Sequence, residues 1–190
     1  MTLDVRKGRR ARPRTDFLVV HTALTFPDQH VNAKVIDEWH RQRGFDGIGY
    51  HKVILRDGTI ENGRPLDEFG AHTINYNGCS VGIVLCGGYE RMTEAQLLER
   101  EIPKKWIVSR SPKNGTAVVV QANYTQAQMD ALVSLLRELR ERYKDSDGIP
   151  PAVVGHRDLS RDGRSCPAFD VLKWWAEVER GRTIVPKTEW

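Results

Sequence analysis

The feature that most constrains the fold is a short apolar segment followed by a histidine and a long polar loop. Residues 152–154 are apolar and mostly β-branched, which predicts a short buried strand. Gly155 then interrupts the pattern and lets the backbone turn, so that His156 leaves the end of this strand. A loop rich in Asp, Arg, Ser and Gly continues to Cys166-Pro167, and a helix is expected just beyond it. We therefore expect His156 and Cys166 to be held by rigid elements.

A second histidine has the same setting. Residues 16–23 form an apolar segment whose last inward position is His21, so this side chain is also expected at a strand end. In an open α/β sheet, ligands and active sites collect at strand ends. Together with His156 and Cys166, His21 would supply imidazole and thiolate ligands and leave a fourth position for water, as in a catalytic zinc site. On the residues alone an alternative stays open, because such histidines often pack in cores or loops and a single cysteine often serves as a small hydrophobic residue.

The remaining pattern indicates an α/β domain. Residues 49–61 alternate around an Asp-Gly turn and predict a hairpin, whereas the apolar run at 80–88 is typical of a central buried strand. Helices are predicted after the N-cap residue Asn32 and after the capping box at 125–128. His40, near the carboxyl end of the first of these helices, is expected to lie at the surface or to complement the helix dipole, and not to be a ligand. We predict one α/β domain with a mixed central sheet flanked by helices and a zinc site at the sheet edge.

Five segments, in the same order along the chain, resemble the zinc-dependent N-acetylmuramoyl-L-alanine amidases. They are residues 19–23, 49–53 followed by 56–59, 80–83, 155–158 and 166–167. This superfamily includes the peptidoglycan recognition proteins and the amidase-type lysozymes of the T-odd coliphages. The resemblance extends over about residues 16–88 and 122–176.

The resemblance implies a reaction and a cofactor. His21, His156 and Cys166 would hold one catalytic zinc ion, and the chain would cleave the amide bond between N-acetylmuramic acid and the L-alanine of the peptidoglycan stem. Tyr50 would act beside the zinc-bound water, since strand alternation points Tyr50 and His51 to opposite faces and the family pattern selects Tyr50.

Three further residues receive roles from the same resemblance. His72 and Asn77, in a polar loop, would border the substrate groove. Arg164 stands where the phage lysozymes carry a lysine, and it would stabilise the oxyanion or orient the attacking water. Because a guanidinium keeps its proton, this role would be electrostatic. Alternatively, Arg164 would pair with a nearby aspartate and only fix its loop.

Two other functions are weighed against the zinc amidase. The first is a non-catalytic peptidoglycan-recognition module, which would keep the groove but lack a zinc ligand; the complete ligand set favours the enzyme. The second is an amidase that also binds and inhibits a phage RNA polymerase, a property of the phage lysozymes for which the amino-terminal residues show no matching motif. We expect a monomer whose partner is peptidoglycan.

Cysteine usage and the amino terminus bear on location. The chain has three cysteines, Cys79, Cys86 and Cys166. An odd and small number argues against a disulfide framework and predicts synthesis in a reducing compartment. No apolar run of eighteen residues and no signal-peptide pattern is found. Together with these features, the resemblance to the phage lysozymes implies synthesis in the host cytoplasm and action on the cell wall or in the periplasm after release.

Charge and composition suggest the boundaries of the domain. Residues 1–15 hold six basic residues against one acidic residue, a balance of +5 in a chain of net charge +4. They predict a flexible arm that is either merely solvated or holds an anionic envelope polymer or nucleic acid. Residues 16–180 would form the amidase domain, with an insertion at about 89–121 that contains a hairpin, and 181–190 a tail.

Overall fold

Two sheets, five α-helices and a short 3-10 helix at Lys104–Trp106 make up the part of the chain that the structure, a computed structural model, describes: residues 10–111, 113–160, 165–182 and 184–188. In chain order the elements are β1 (Phe17–Thr22), α1 (Ala33–Gln42), β2 (Lys52–Ile54), β3 (Ile60–Asn62), β4 (Ser80–Leu85), β5 (Tyr89–Thr93), α2 (Glu94–Glu99), β6 (Ile107–Ser111), β7 (Thr116–Val120), α3 (Gln126–Arg142), β8 (Ala152–Gly155), α4 (His156–Leu159) and α5 (Val171–Glu179). None of the described helices is long and apolar enough to cross a bilayer.

The main sheet is mixed, as predicted from the sequence. Its strand order is β3-β2-β4-β1-β8, and only β3 runs antiparallel to its neighbour. The strands β2, β4, β1 and β8 therefore all end at the same edge. Since β1 and β8 are paired neighbours, the residues that follow them along the chain emerge close together.

The two faces of this sheet are covered differently. On one face, Leu18 and Val20 of β1 join the large core that contains α3 and α5. On the other face, Val53 and Val84 pack with Ile36 of α1 in a smaller core at the β2–β4 side. Strand alternation puts His21 on the same face as its register partner Val84, because Val20 faces the large core. His21 thus lies on the face of the sheet that carries the smaller core.

Helix caps fix the ends of α1 and α3 as the sequence indicates. The Asn32 side chain accepts a hydrogen bond from the N–H of Val35 at 3.0 Å, and Thr125 forms a reciprocal capping box with Gln128. Gln128 is fully buried, and its amide also donates to the carbonyls of Ile54 and Cys86 at 3.2 and 2.8 Å. The first turn of α3 is therefore attached to the ends of β2 and β4.

Residues 89–121 form a second sheet with the strand order β5-β7-β6. The predicted hairpin corresponds to β6 and β7, whereas β5 was not predicted, because Met92 is its only buried side chain and its other residues are polar or half-exposed. Met92, Trp106 and Val119 belong to the large core. The second sheet is therefore continuous with the main hydrophobic core.

The described part of the predicted arm is packed against the domain. Ala11 forms an antiparallel bridge with Glu68, and the Arg10 carbonyl accepts a hydrogen bond from Phe69 at 2.7 Å. Arg12 lies over the Tyr143 ring at 5.0 Å. Residues 10–12 therefore contact the domain through both backbone and side chains.

The expectation that His40 lies at the surface is wrong. His40 is 4% exposed, and its Nδ1 accepts the Gly49 N–H at 2.8 Å. Its ring lies 5.4 Å from the ring of Tyr50, measured between centroids. The helix places His40 on the same side as Ile36, four residues earlier, so it faces the sheet. It supports the segment that carries Tyr50.

Two buried histidines predict a pH-dependent stability. Burial lowers the pKa of His40 and His51 to about 4, against about 6.5 in an unfolded chain. Between these values the unfolded chain binds protons that the folded chain does not. The free energy of unfolding should therefore fall as pH drops from 6.5 to 4, by up to about 1.4 kcal/mol per pH unit for each histidine.

Urea unfolding of the metal-free protein at several pH values measures this slope. His51→Asn keeps an acceptor for the Gly82 N–H, which His51 Nδ1 accepts at 2.9 Å, and it should reduce the slope. The matched variant His30→Asn, at an exposed position, should leave it as in the wild type. Equal slopes in all three proteins would contradict the assignment.

Candidate metal centre

The carboxyl ends of two neighbouring strands carry the two predicted histidine ligands. His21 is the fifth residue of β1 and is 1% exposed, and His156 directly follows β8 as the first residue of α4. Their imidazole rings lie 4.7 Å apart between centroids, with an angle of 36° between the planes. The parallel pairing of β1 with β8 thus brings together two residues that are far apart in sequence.

Backbone contacts hold Cys166 against these strand ends. The N–H of Arg157 donates to the Cys166 carbonyl at 2.9 Å, which fixes the cysteine beside His156. The N–H of Thr22 donates to Cys166 Sγ at 3.3 Å, a contact that suits a thiolate acceptor. Cys166 Sγ lies 3.8 Å from His21 Nδ1. The cysteine is therefore held by residues adjacent to both histidines.

The three donor atoms fit a metal ion. One ligand atom each from His21, His156 and Cys166 lies within 4.8 Å of the others, and among the described residues this is the group of His, Cys, Asp and Glu that could hold a metal. A nitrogen and a sulfur on one tetrahedral zinc ion would lie about 3.6 Å apart, close to the distance from Sγ to His21 Nδ1. Burial, followed by the neighbouring His156, lowers the pKa of His21 well below its usual value. A neutral imidazole keeps the lone pair that metal binding requires.

His72 lies directly behind His21. Its Nδ1 is 3.0 Å from His21 Nε2, and its Nε2 is 3.4 Å from the hydroxyl of Ser80, which donates to the Tyr76 carbonyl at 2.7 Å. If His21 Nδ1 faces the metal, its Nε2 carries the proton and donates to His72 Nδ1. A metal-bound histidine is typically fixed by such a partner on its second nitrogen.

Two glycines make room for His72. A Cβ atom at Gly82, in the middle of β4, would lie 2.5 Å from the His72 ring, and one at Gly70 would lie 2.3 Å from it. Both distances are too short for any side chain. The ring of His72 therefore packs directly on the backbone of the central strand, in one defined position.

Asn77 supports this loop from within. It is 5% exposed, and its Oδ1 accepts the backbone N–H groups of His72 and Thr73 at 2.8 and 2.9 Å. Both lone-pair positions of this oxygen are therefore used by the loop itself. A contact of Asn77 with substrate stays a prediction, whereas its contribution to the position of His72 is a direct contact.

Tyr50, which the family resemblance selected, lies next to His21. Its ring centroid is 5.0 Å from that of His21 and 6.3 Å from that of His72. His51 is 1% exposed, its Nε2 is 3.0 Å from the Glu68 carbonyl, and its ring lies 5.6 Å from that of His72. Of the two candidates in the hairpin, Tyr50 is thus the residue next to the metal cluster.

Arg164 lies outside the described residues, and its role stays a prediction.

Two groups that contact the segment around Cys166 were not found from the sequence. One is the N–H of Thr22, since a backbone donor leaves no sequence signal. The other is Tyr124, whose hydroxyl donates to the Pro167 carbonyl at 3.1 Å beneath the cysteine loop.

Comparison with known proteins agrees with this geometry. The family model described as N-acetylmuramoyl-L-alanine amidase matches residues 10–169. The endolysin of Klebsiella phage KP32 is 33% identical over 168 residues, which cover 88% of this chain and 90% of that protein. The endolysin of Escherichia phage T7 is 31% identical over 170 residues, which cover 90% and 91%. The N-acetylmuramoyl-L-alanine amidase LysC from Clostridium intestinale URNW has the same fold, with a TM-score of 0.63 over 95% of both chains at 23% identity.

An α/β domain that gathers two histidines and a cysteine at its strand ends defines a candidate metal-dependent hydrolase. The family match makes the assignment specific: the chain belongs to the N-acetylmuramoyl-L-alanine amidase family, and it is a peptidoglycan hydrolase. The family and enzyme class predicted from the sequence motifs are thereby confirmed.

Proposed function

We propose that the chain cleaves the amide bond between the lactyl group of N-acetylmuramic acid and L-alanine with one zinc ion held by His21, His156 and Cys166. The observation that carries this proposal is the meeting of these three donors within 4.8 Å in a member of the amidase family. When bound, zinc supplies a Lewis acid for activating water and polarising the scissile carbonyl.

The protein's own groups would orient this chemistry. His21 would use Nδ1 as a ligand and donate its Nε2 proton to His72, which keeps the imidazole in one tautomer and one orientation. Tyr50, 5.0 Å from the ring of His21, would present its phenol to the developing oxyanion or to the attacking water. His72 was also predicted to border the substrate groove, and its half-buried position is compatible with both roles.

Mass spectrometry of digested sacculi tests the reaction. An amidase releases stem peptides with a free L-alanine amino terminus and leaves intact glycan chains with free lactyl groups. New reducing sugar ends would instead identify a glycosidase, and cuts within the stem would identify an endopeptidase. Either of these two products, without the first, would overturn the proposal.

The two groups that the family resemblance assigns to catalysis can be separated from metal binding. Tyr50→Phe and Arg164→Ala should each lower kcat, by roughly 100-fold, because each would remove a donor to the oxyanion. Zinc content, measured by elemental analysis, should stay at the wild-type value. Arg164→Lys should keep much of the rate, since the role needs charge and not proton transfer.

A normal kcat in Arg164→Ala would contradict the catalytic role and support the alternative, in which Arg164 only fixes its loop. A Tyr50→Phe variant with normal kcat would leave Tyr50 as a packing residue next to His21. Loss of zinc in either variant would mean that the side chain supports the metal site.

The setting of the reaction follows from the endolysin relatives. We infer that the enzyme acts on the cell wall after its release from the cytoplasm of the host. Inhibition of a phage RNA polymerase stays a prediction from the resemblance alone. If the cognate polymerase does not co-purify with the full chain, this prediction is wrong.

A further inference from the structure

A tyrosine that this reaction does not use lies beneath the cysteine loop. Tyr124 directly precedes the N-cap residue of α3 and is 5% exposed. Its ring packs edge-on against Phe169, with 5.8 Å between the centroids. Its hydroxyl donates to the Pro167 carbonyl at 3.1 Å. Because a buried carbonyl needs a donor, this hydrogen bond fixes the backbone immediately after Cys166.

The same hydroxyl lies near the side chain of Thr22, the residue that follows His21. The Thr22 hydroxyl donates to the Gly87 carbonyl at 2.9 Å, and its N–H donates to Cys166 Sγ at 3.3 Å. Tyr124 thus contacts Pro167 and neighbours Thr22, the residues that follow two of the three candidate metal ligands.

Backbone hydrogen bonds contribute to the position of Cys166. Apart from the Thr22 N–H, the backbone N–H of Arg157 holds the Cys166 carbonyl, and the Ala168 N–H holds the Ser165 carbonyl at 2.8 Å. A metal site needs its ligands within about 0.5 Å of the correct geometry. A hydroxyl that fixes the residue after the thiolate can therefore change metal affinity without touching the metal.

We propose that Tyr124 is a positioning residue for the metal site, whose hydroxyl holds the Cys166-Pro167 segment at the distance from β1 that metal binding requires. This inference rests on the proposed metal binding by His21, His156 and Cys166. It assigns a role to a buried hydroxyl that takes no part in the chemistry.

The variant Tyr124→Phe tests the proposal, since it removes the hydroxyl and keeps the ring against Phe169. The zinc Kd of the full-length protein, measured by competition with a chromogenic chelator, should rise about 10-fold, as for other partners of metal ligands. In the cobalt-substituted protein, the charge-transfer absorption of the cysteine–cobalt bond should weaken or shift. A purely structural hydroxyl would leave this band unchanged.

Tyr143→Phe is the matched control. It removes a tyrosine hydroxyl at the opposite end of α3, a helix of 17 residues and hence roughly 25 Å long. Its zinc Kd and cobalt spectrum should equal those of the wild type. If Tyr124→Phe does not fold without metal, the zinc Kd and the cobalt spectrum of Thr22→Val test the proposal instead. This variant removes the Thr22 hydroxyl, which lies near that of Tyr124, and should change both measurements in the same direction.

The outcomes separate this inference from the proposed function. A wild-type protein that binds no zinc would overturn the metal site and the inference together. A wild type that binds zinc, with the same Kd and cobalt spectrum in Tyr124→Phe, would overturn the role of Tyr124 alone.

Discussion

Replacing Cys166 by serine should abolish lysis of outer-membrane-permeabilised cells and weaken zinc binding by at least about 100-fold. Loss of a partner behind a metal ligand already costs about 10- to 100-fold in affinity, and Cys166→Ser removes the only sulfur of the candidate ligand set. The serine hydroxyl keeps its proton at neutral pH, whereas metal binding uses a thiolate. Zinc content by elemental analysis and turnover of purified sacculi measure the two effects.

Cys79→Ser is the matched control for this experiment. Cys79 is a free, half-buried cysteine whose Sγ contacts the Tyr76 carbonyl at 3.6 Å, away from the candidate ligand set. Its replacement should leave zinc content and turnover unchanged. Exhaustive chelation should abolish the turnover of sacculi by the wild type, and added zinc should restore this activity. Full activity of a protein shown to be free of metal would overturn the zinc mechanism.

The strands and the ligand trio could be predicted because their signals are local. Each candidate ligand histidine follows a short apolar run that is typical of a buried strand. Cys166 lies in a polar loop between a strand and a helix. Parallel pairing of β1 with β8 then brings the two ends together, a step that depends on the strand order of the sheet. For the same reason the caps at Asn32 and Thr125 were found, since each depends on residues three positions away.

What the sequence did not predict depends on contacts between distant segments. The strand β5 lacks an apolar alternation and exists because it pairs with β7. His40 is polar, but it fills a place in the smaller core where the Gly49 N–H needs an acceptor. Thr22 contacts Cys166 from 144 residues away, and Tyr124 contacts Pro167 from 43 residues away, and no periodicity reports such a distance. Sequence patterns therefore identified the candidate ligands but not the groups that contact them.

His72 shows the same limit, and it leads to the second large effect. From the sequence it was assigned to the substrate groove, whereas in the structure its Nδ1 lies 3.0 Å from His21 Nε2. If this nitrogen accepts the His21 proton, removing the acceptor should free the ligand imidazole to rotate and to change tautomer. We expect His72→Leu to raise the zinc Kd by about 10- to 100-fold and to lower turnover correspondingly.

His72→Asn separates this hydrogen bond from packing. Leucine and asparagine side chains have equal numbers of heavy atoms, so both leave a similar gap beside Gly70 and Gly82. Only asparagine offers an oxygen near the position of the histidine Nδ1, where it can accept from His21 Nε2. The zinc Kd of His72→Asn should therefore lie much closer to that of the wild type than to that of His72→Leu. An equal rise of the zinc Kd in both variants would show that His72 acts by filling space. A normal zinc Kd with a raised KM in both variants would instead support the predicted role of His72 in the substrate groove.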